Sequence, residues 1–426
     1  MVFLKGHLPR GRRAGLILGL GLLLGLPAQA ADYALSGFGT LGYAVSDQRA
    51  PYLRFIDRDG TARADSLIGL QLEAQFNPQW GATAQLVASA DQDRDEGLSA
   101  RLRWVFVSYR PNNEWQIRLG RLRVPFLQDA LNSDVGVTYD AARLPAEVYS
   151  ISPFYDADGL AVNRTWSTDS ADIGLHAYVG GTRVHYRLPY QRPATRSAYP
   201  SRFVPEDVRA TGMVLTHASR PWSLQLGLHR ATLRPDQPQI DRFLPTTIPA
   251  PPPVGGTLYA PGTLIDKFHI SVLTFGAEWT SGPWRVATEY AQRISKDIDW
   301  GPGSKSAHVT VSRTVGRWVP YVTYARIYSA ADNRRLYQDA NATPVPLAAQ
   351  GAPLFLPAEF HQIIADGTVV YDQYSTMLGA SYALSPSAKL KFEWMRTRVG
   401  LVSALVDGDV HRKRFQVLSV SYNFAF

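Results

Sequence analysis

Phe415-Gln-Val-Leu-Ser-Val-Ser-Tyr422-Asn-Phe424-Ala-Phe426 decides the fold of this 426-residue chain. Leu418, Val420, Tyr422, Phe424 and Phe426 share one parity; Val417, Ser419, Ser421, Asn423 and Ala425 share the other. A period of two sets these groups on opposite faces of a strand. A strand that runs flush to the terminus, apolar on one face and polar on the other, must close onto a partner or leave an exposed edge.

The other end of the chain reads as an export signal. Lys5, Arg10, Arg12 and Arg13 precede an apolar run from Ala14 to Leu26, and Ala28-Gln29-Ala30 offers small residues for cleavage after Ala30. The run falls short of the ~20 apolar residues a spanning helix needs, and no later segment approaches that length. Removing residues 1–30 would take away four of the 44 basic residues and no acid, lowering the net charge from +8 to +4. So mild a balance, spread along the chain, does not fit a nucleic-acid partner. Cysteine is absent, which rules out disulfides and thiolate chemistry.

Between these ends, short turns alternate with long connections. The short ones are Asn77-Pro-Gln79, Pro111-Asn-Asn113, Thr168-Asp-Ser170, Ser219-Arg-Pro221, Ser281-Gly-Pro283, Gly316-Arg317 and Ser385-Pro-Ser387. The long ones cover roughly 47–63, 91–100, 122–157, 181–207, 233–264, 294–303, 329–370 and 400–410. They delimit 16 strands in a single domain, 31–426, and alternate as in a transmembrane barrel. Within strands, Ile68, Leu70 and Leu72 oppose Gln71 and Glu73, and Trp222, Leu224, Leu226 and Leu228 oppose Ser223, Gln225 and His229. A soluble sandwich has the same period. The tryptophans separate the two readings: Trp80, Trp115, Trp222, Trp284 and Trp318 follow short turns, and Trp166 and Trp279 precede them. An aromatic girdle at a membrane boundary predicts this placement, whereas turn-flanking aromatics that pack locally are the plainer account.

With its signal, 16 strands, long third loop and terminal Phe426, the chain resembles a Gram-negative outer-membrane porin, and Leu35-Ser-Gly-Phe-Gly-Thr-Leu-Gly42 resembles a porin first strand. The resemblance implies an all-β, 16-stranded antiparallel barrel with short periplasmic turns, long extracellular loops and a third loop folded into the lumen. It also implies a homotrimer, contact with lipopolysaccharide, recognition of Phe426 by the barrel-assembly machinery, and passive diffusion of small hydrophilic solutes without cofactor or metal.

The loop 122–157 is the candidate constriction, with Asp129, Asp134, Asp140, Arg143 and Glu147 as its charges. Carboxylates facing cations across a narrow opening would choose among small ions; an ordinary solvated outer loop is the alternative. Arg103, Arg118, Arg285, Glu289, Lys389, Lys391 and Glu393 are the candidate wall charges, because an outward Arg or Lys would cost about 2–4 kcal/mol at mid-bilayer. Arg118 shares parity with Gln116. The facing of Arg101 and Arg103 is open: a three-residue turn at 111–113 turns Arg103 outward, a two-residue turn inward. Arginine keeps its charge and presents a fixed fork of donors, which suits an anion path; neutralising the loop carboxylates is the alternative role. Asp91-Gln-Asp93-Arg-Asp95-Glu96-Gly97 lacks EF-hand spacing and reads as a hairpin tip or a loose divalent site. Pro249 to Pro253 reads as a mobile part of the fifth loop. No Gly-x-Ser-x-Gly or His-Glu-x-x-His occurs, so an enzyme is not expected. The sequence reading is a porin with mild anion preference. A substrate-specific channel for oligosaccharide or a phosphate-like anion and a surface receptor or adhesin barrel are the alternatives.

Overall fold

The computed structural model describes residues 31–426 apart from 153, 190–202, 236–245, 250–256, 261–265, 296, 298–301, 343–364, 367 and 409. The expected signal (1–30) and most of the proline-rich stretch, Ala250 to Pro253, therefore lie outside the described residues. Sixteen strands close into one antiparallel barrel. In chain order they are β1 (Asp32–Ser46), β2 (Leu67–Gln75), β3 (Trp80–Ala90), β4 (Leu98–Tyr109), β5 (Trp115–Arg123), β6 (Asp156–Ser167), β7 (Asp172–Arg187), β8 (Phe203–Ser219), β9 (Trp222–Pro235), β12 (Phe268–Ser281), β13 (Trp284–Ser295), β14 (Ser304–Arg313), β15 (Trp318–Ser329), β16 (Tyr371–Ser385), β17 (Ala388–Ser403) and β18 (Arg414–Ala425). Strands β10 (Thr246–Pro249) and β11 (Thr257–Ala260) pair only with each other, inside the long β9–β12 connection.

Short and long connections alternate as the turn chemistry predicts, with two differences of extent. β7 runs on to Arg187 and β8 starts at Phe203, so residues 181–187 and 203–207 at the two ends of the 181–207 segment are paired strand. The 329–370 segment contains a helix, Ala331–Ala342.

The barrel closes where β18 meets β1. Gly37 and Phe426 exchange backbone hydrogen bonds, 2.9 Å in each direction. On the outer face the Phe424 ring lies over Gly39, where a Cβ would sit 2.6 Å from it. The glycines of the first strand thus make room for the aromatic end of the last.

Side-chain alternation assigns the two surfaces. Leu70, Leu226, Leu378 and Leu418 are exposed outward, Leu418 by 56%, while Ser419, Ser421 and Asn423 are buried inside. An apolar outer band of this kind needs lipid around it. At the short-turn end Trp80 packs on Tyr109 at 4.6 Å and Trp318 on Tyr382 at 4.7 Å. Trp222 stands opposite Trp279 in register. These aromatics mark one edge of the band.

A β-bulge resolves the facing of Arg103. Gln85 pairs with Trp104 and Leu86 with Leu102, so Arg103 is the extra residue. Phe106 and Ser108 face inward below the bulge, with Ser108 opposite Arg118, and Arg101 and Arg103 face inward above it. Turn length alone could not decide this, because the parity changes within the strand.

Candidate functional site

The β5–β6 connection, residues 124–155 and hereafter L3, folds into the lumen. Its two ends carry an apolar anchor: Phe126, Leu127, Val148, Ile151 and Phe154 are buried against inward residues of β7–β9 and β12 such as Tyr178, Val208 and Ile270. The polar middle then crosses to the far wall. Burial of these apolar residues helps to offset the entropy of ordering so long a segment.

Each expected loop charge has a definite position. Asp134 lies near the loop's start, 2.5 Å from Arg123 and 3.5 Å from Arg103, whose guanidinium also meets Asp156 at 3.0 Å. Asp140 accepts from Lys389 at 2.9 Å and from Ser381 at 2.7 Å. Arg143 holds Asp65 with two hydrogen bonds, 2.8 and 2.5 Å, tying L3 to the β1–β2 connection. Glu147, in the short helix Ala146–Tyr149, is fully buried and accepts from Gln373 at 2.7 Å and from Ser375. Asp129 has no base within ion-pair distance among the described residues; its backbone N–H meets the Tyr149 hydroxyl at 3.2 Å.

The wall charges meet the loop from the other side. Lys391 donates to the carbonyls of Gly136 (2.6 Å) and Ala141 (2.9 Å) and sits over the Tyr139 ring at 3.9 Å. Glu393 accepts from the Tyr321 hydroxyl at 2.7 Å, and that hydroxyl accepts from the Ala142 N–H at 3.0 Å. Glu289 accepts from the Gln128 N–H at 2.7 Å and lies 3.0 Å from His308. Arg285 pairs with Glu278 at 2.7 Å, away from the loop. Burial and charge together set the loop carboxylates. Burial opposes ionisation of Asp134, but Arg123 and Arg103 outweigh it and hold the group below the ordinary aspartate value. Asp140 is likewise held low against burial by Lys389. Asp129 moves the other way, raised by burial and by Glu289.

Arg118 faces the lumen outside this network. It stands over the Phe106 ring at 5.5 Å, with no hydrogen-bond partner for its buried Nε among the described residues. Arg110, the next inward base toward the short-turn end, lies 3.0 and 3.2 Å from the side-chain amide of Gln116, whose oxygen would accept from both guanidinium nitrogens with the amide turned toward them. Sequence parity identified Arg118 but missed Arg110, which stands at the edge of a turn. It also missed Asp65, Gln373, Ser375 and Tyr321, the wall and loop groups that receive L3. Gln373 and Ser375 have inward parity in β16 and were readable as luminal; their partner was not. The three aspartates of 91–97 are engaged by bases: Arg101 with Asp91 (3.3 Å) and Asp93 (2.5 Å), and Arg187 with both Asp95 (2.7 Å) and Asp407 (2.5 Å). This clasp joins the second, fourth and eighth long connections.

Residues 57–343 match the family model of the phosphate-selective porins O and P. The chain belongs to this family. Solved porins share the fold of this phosphate-selective-type porin at low identity. OmpT of Vibrio cholerae is 11% identical with a TM-score of 0.52, covering 94% of this chain and 99% of its own. An anion-selective porin from Comamonas acidovorans is 14% identical with a TM-score of 0.50, covering 93% and 100%. OprB of Pseudomonas putida is 10% identical with a TM-score of 0.51, covering 93% and 94%. No curated protein sequence matches the chain. The porin is an outer-membrane channel of a Gram-negative bacterium, and its family and fold are those of channels.

Proposed function

We propose that the porin passes small hydrophilic solutes by passive diffusion with a mild preference for anions, past the part of the β4–β5 wall where Arg118 and Arg110 stand, on the short-turn side of the contacts that L3 makes with Arg103 and Arg123. One observation carries this reading. Asp134, Asp140 and Glu147 are engaged by the wall, whereas Arg118 and Arg110 face the lumen with no carboxylate partner among the described residues. A wide barrel of 16 strands leaves room for an aqueous path, and two unneutralised guanidinium groups in it raise the local concentration of anions. In this reading the loop acids and Arg143, together with Arg103, Lys389, Lys391, Glu289 and Glu393, fasten the constriction, and Arg118 tunes selectivity. Arg285, neutralised by Glu278, contributes little net charge.

The family description favours a second reading, a phosphate-preferring channel. Arg110 and Arg118, two inward bases on neighbouring strands, are its strongest support here. Purified protein in a planar bilayer under a potassium chloride gradient tests the proposal: the reversal potential should have the sign of anion preference, and cation preference or absence of current would overturn it. Concentration-dependent block of chloride current by phosphate at submillimolar levels would favour the second reading. We further infer cleavage after Ala30, a homotrimer, contact with lipopolysaccharide and recognition of Phe426 by the assembly machinery, as the porin resemblance implies.

A further inference from the structure

The outer end of β7 and β8 stands clear of its neighbour β6 and reaches across the lumen. Pairing of β6 with β7 stops at Asp158 and Gly181, whereas β7 and β8 stay paired up to Arg187 and Phe203. Residues 182–187 of β7 therefore form an arm with β8 alone beside them, about 20 Å long at about 3.4 Å per residue. At the foot of the arm the wall is creased. Gly120, Gly159 and Gly180 stand side by side in register on β5, β6 and β7, and Gly181 follows. Gly120 has a φ of +135°, and a Cβ on Gly159 would run into the Val179 carbonyl oxygen. Glycine alone permits so close an approach of adjacent strands.

The tip of the arm is fastened to the far side of the mouth. Seven strands separate β7 from β17 in either direction round the barrel. Yet the Arg187 guanidinium donates to Asp407, in the β17–β18 connection, at 3.1 and 2.5 Å. It also donates to Asp95, in the β3–β4 connection, at 2.7 and 3.2 Å. Forked contacts of this kind between charged groups are the strong ones. Both carboxylates are held in turn: Arg54 meets Asp95 at 3.3 Å, and the Asp407 N–H donates to the Pro51 carbonyl at 2.9 Å. Only 14% of the Arg187 side chain and 9% of the Asp407 side chain are exposed, so salt screens the pair little. Beneath it Tyr186 packs against Ile327, Val369 and Tyr371 of the opposite wall, as does Leu405. The ion path past Arg118 and Arg110 makes no use of this bridge.

We propose that the β7–β8 arm is a latch over the outer mouth, and that Arg187, by holding Asp95 and Asp407, sets the largest solute the channel admits from outside. The inference rests on the channel reading and places a size-determining residue beyond the L3 constriction. While latched, the arm divides the mouth into smaller openings. Once released, it is held only by β8 and the glycine crease, and the mouth widens toward the span of the barrel.

Uncharged poly(ethylene glycols) of graded length, added to one side of a planar bilayer holding oriented single channels, test the latch. A polymer that enters the pore lowers its conductance. In the wild type the longest polymer that enters should be shorter from the long-loop side than from the short-turn side. Arg187→Gln and, separately, Asp407→Asn should bring the outer limit up to the inner one. In liposomes of these variants, swelling in a neutral trisaccharide relative to a monosaccharide should rise about tenfold, the factor one hydrogen bond between charged groups is worth. The chain has no cysteine, so Arg187→Cys/Asp407→Cys joined by a short bismaleimide should restore the wild-type limit, and the same variant before joining should lack it. Equal limits from both sides of conducting wild-type protein overturn the latch and leave the channel reading intact, and this comparison holds even if a variant fails to fold. Folded variants with an unchanged outer limit also overturn it. Absence of current in the wild type overturns the channel reading and the latch together.

Discussion

Gly37 and Phe426 form the last hydrogen-bonded pair of the barrel seam, exchanging N–H to carbonyl bonds of 2.9 Å in both directions, with the Phe426 ring over the glycine Cα. The absence of a side chain at 37 is what lets that ring lie flat against the wall.

Gly37→Leu should therefore displace the ring and destabilise the seam by about 1–3 kcal/mol, the usual cost of overpacking. The fraction of protein in the heat-modifiable folded form reads this out. Phe426→Ala in the same chain should recover part of the loss, because the two changes act on one contact. Additive losses would mean that the ring does not rest on Gly37.

Arg118→Ala should move the reversal potential toward cations. A unit charge acting over about 4 Å in water is worth about 1 kcal/mol, so the anion-to-cation permeability ratio should fall about fivefold. An unchanged ratio would remove Arg118 from the ion path.

Arg143→Met should loosen L3 by leaving the Asp65 carboxylate unpaired in a site where only 12% of that side chain is exposed. Breaking such a pair costs about 3–5 kcal/mol. The expected signs are a lower unfolding temperature and larger open-channel current noise, while ion preference is preserved because Arg118 is untouched.

The loop carboxylates should respond to acid in sequence. Asp129 is raised above the ordinary value of 3.8 and protonates first, removing a luminal negative charge and increasing anion preference as pH falls toward that value. Asp134 and Asp140 are held below 3.8, so the stability they contribute is present above that pH and is lost only as pH falls through their lower folded values. Conductance noise should therefore rise at lower pH than the change in selectivity. Asp129→Asn should abolish the selectivity change and spare the noise transition.

Strand positions, turns and facing were legible because each depends on a local period of two. Leu418 and Ser419 declare their faces without reference to any other part of the chain. Arg103 was not legible, since the bulge at Arg103 and Trp104 is an insertion that only the partner strand β3 reveals. The constriction was half legible. The sequence marks a loop rich in carboxylates and apolar residues, and the apolar ones do anchor it. That Glu147 meets Gln373 and Ser375, more than 220 positions away, follows from barrel curvature and loop path, which no spacing encodes. The partners of Asp140 and Glu147 could not be read because they lie on the opposite wall, in β16 and β17.

A wall one strand thick resists stretching around its hoop, where hydrogen bonds run, far better than it resists being flattened. L3 is fixed to β4 and β5 through Asp134 on one bank and to β16 and β17 through Glu147, Asp140 and Lys391 on the other. It spans the ring as a chord, and its buried charges act as rivets at both ends. The tube is thereby a braced section, whose cross-section holds its shape when the surrounding bilayer is squeezed or stretched.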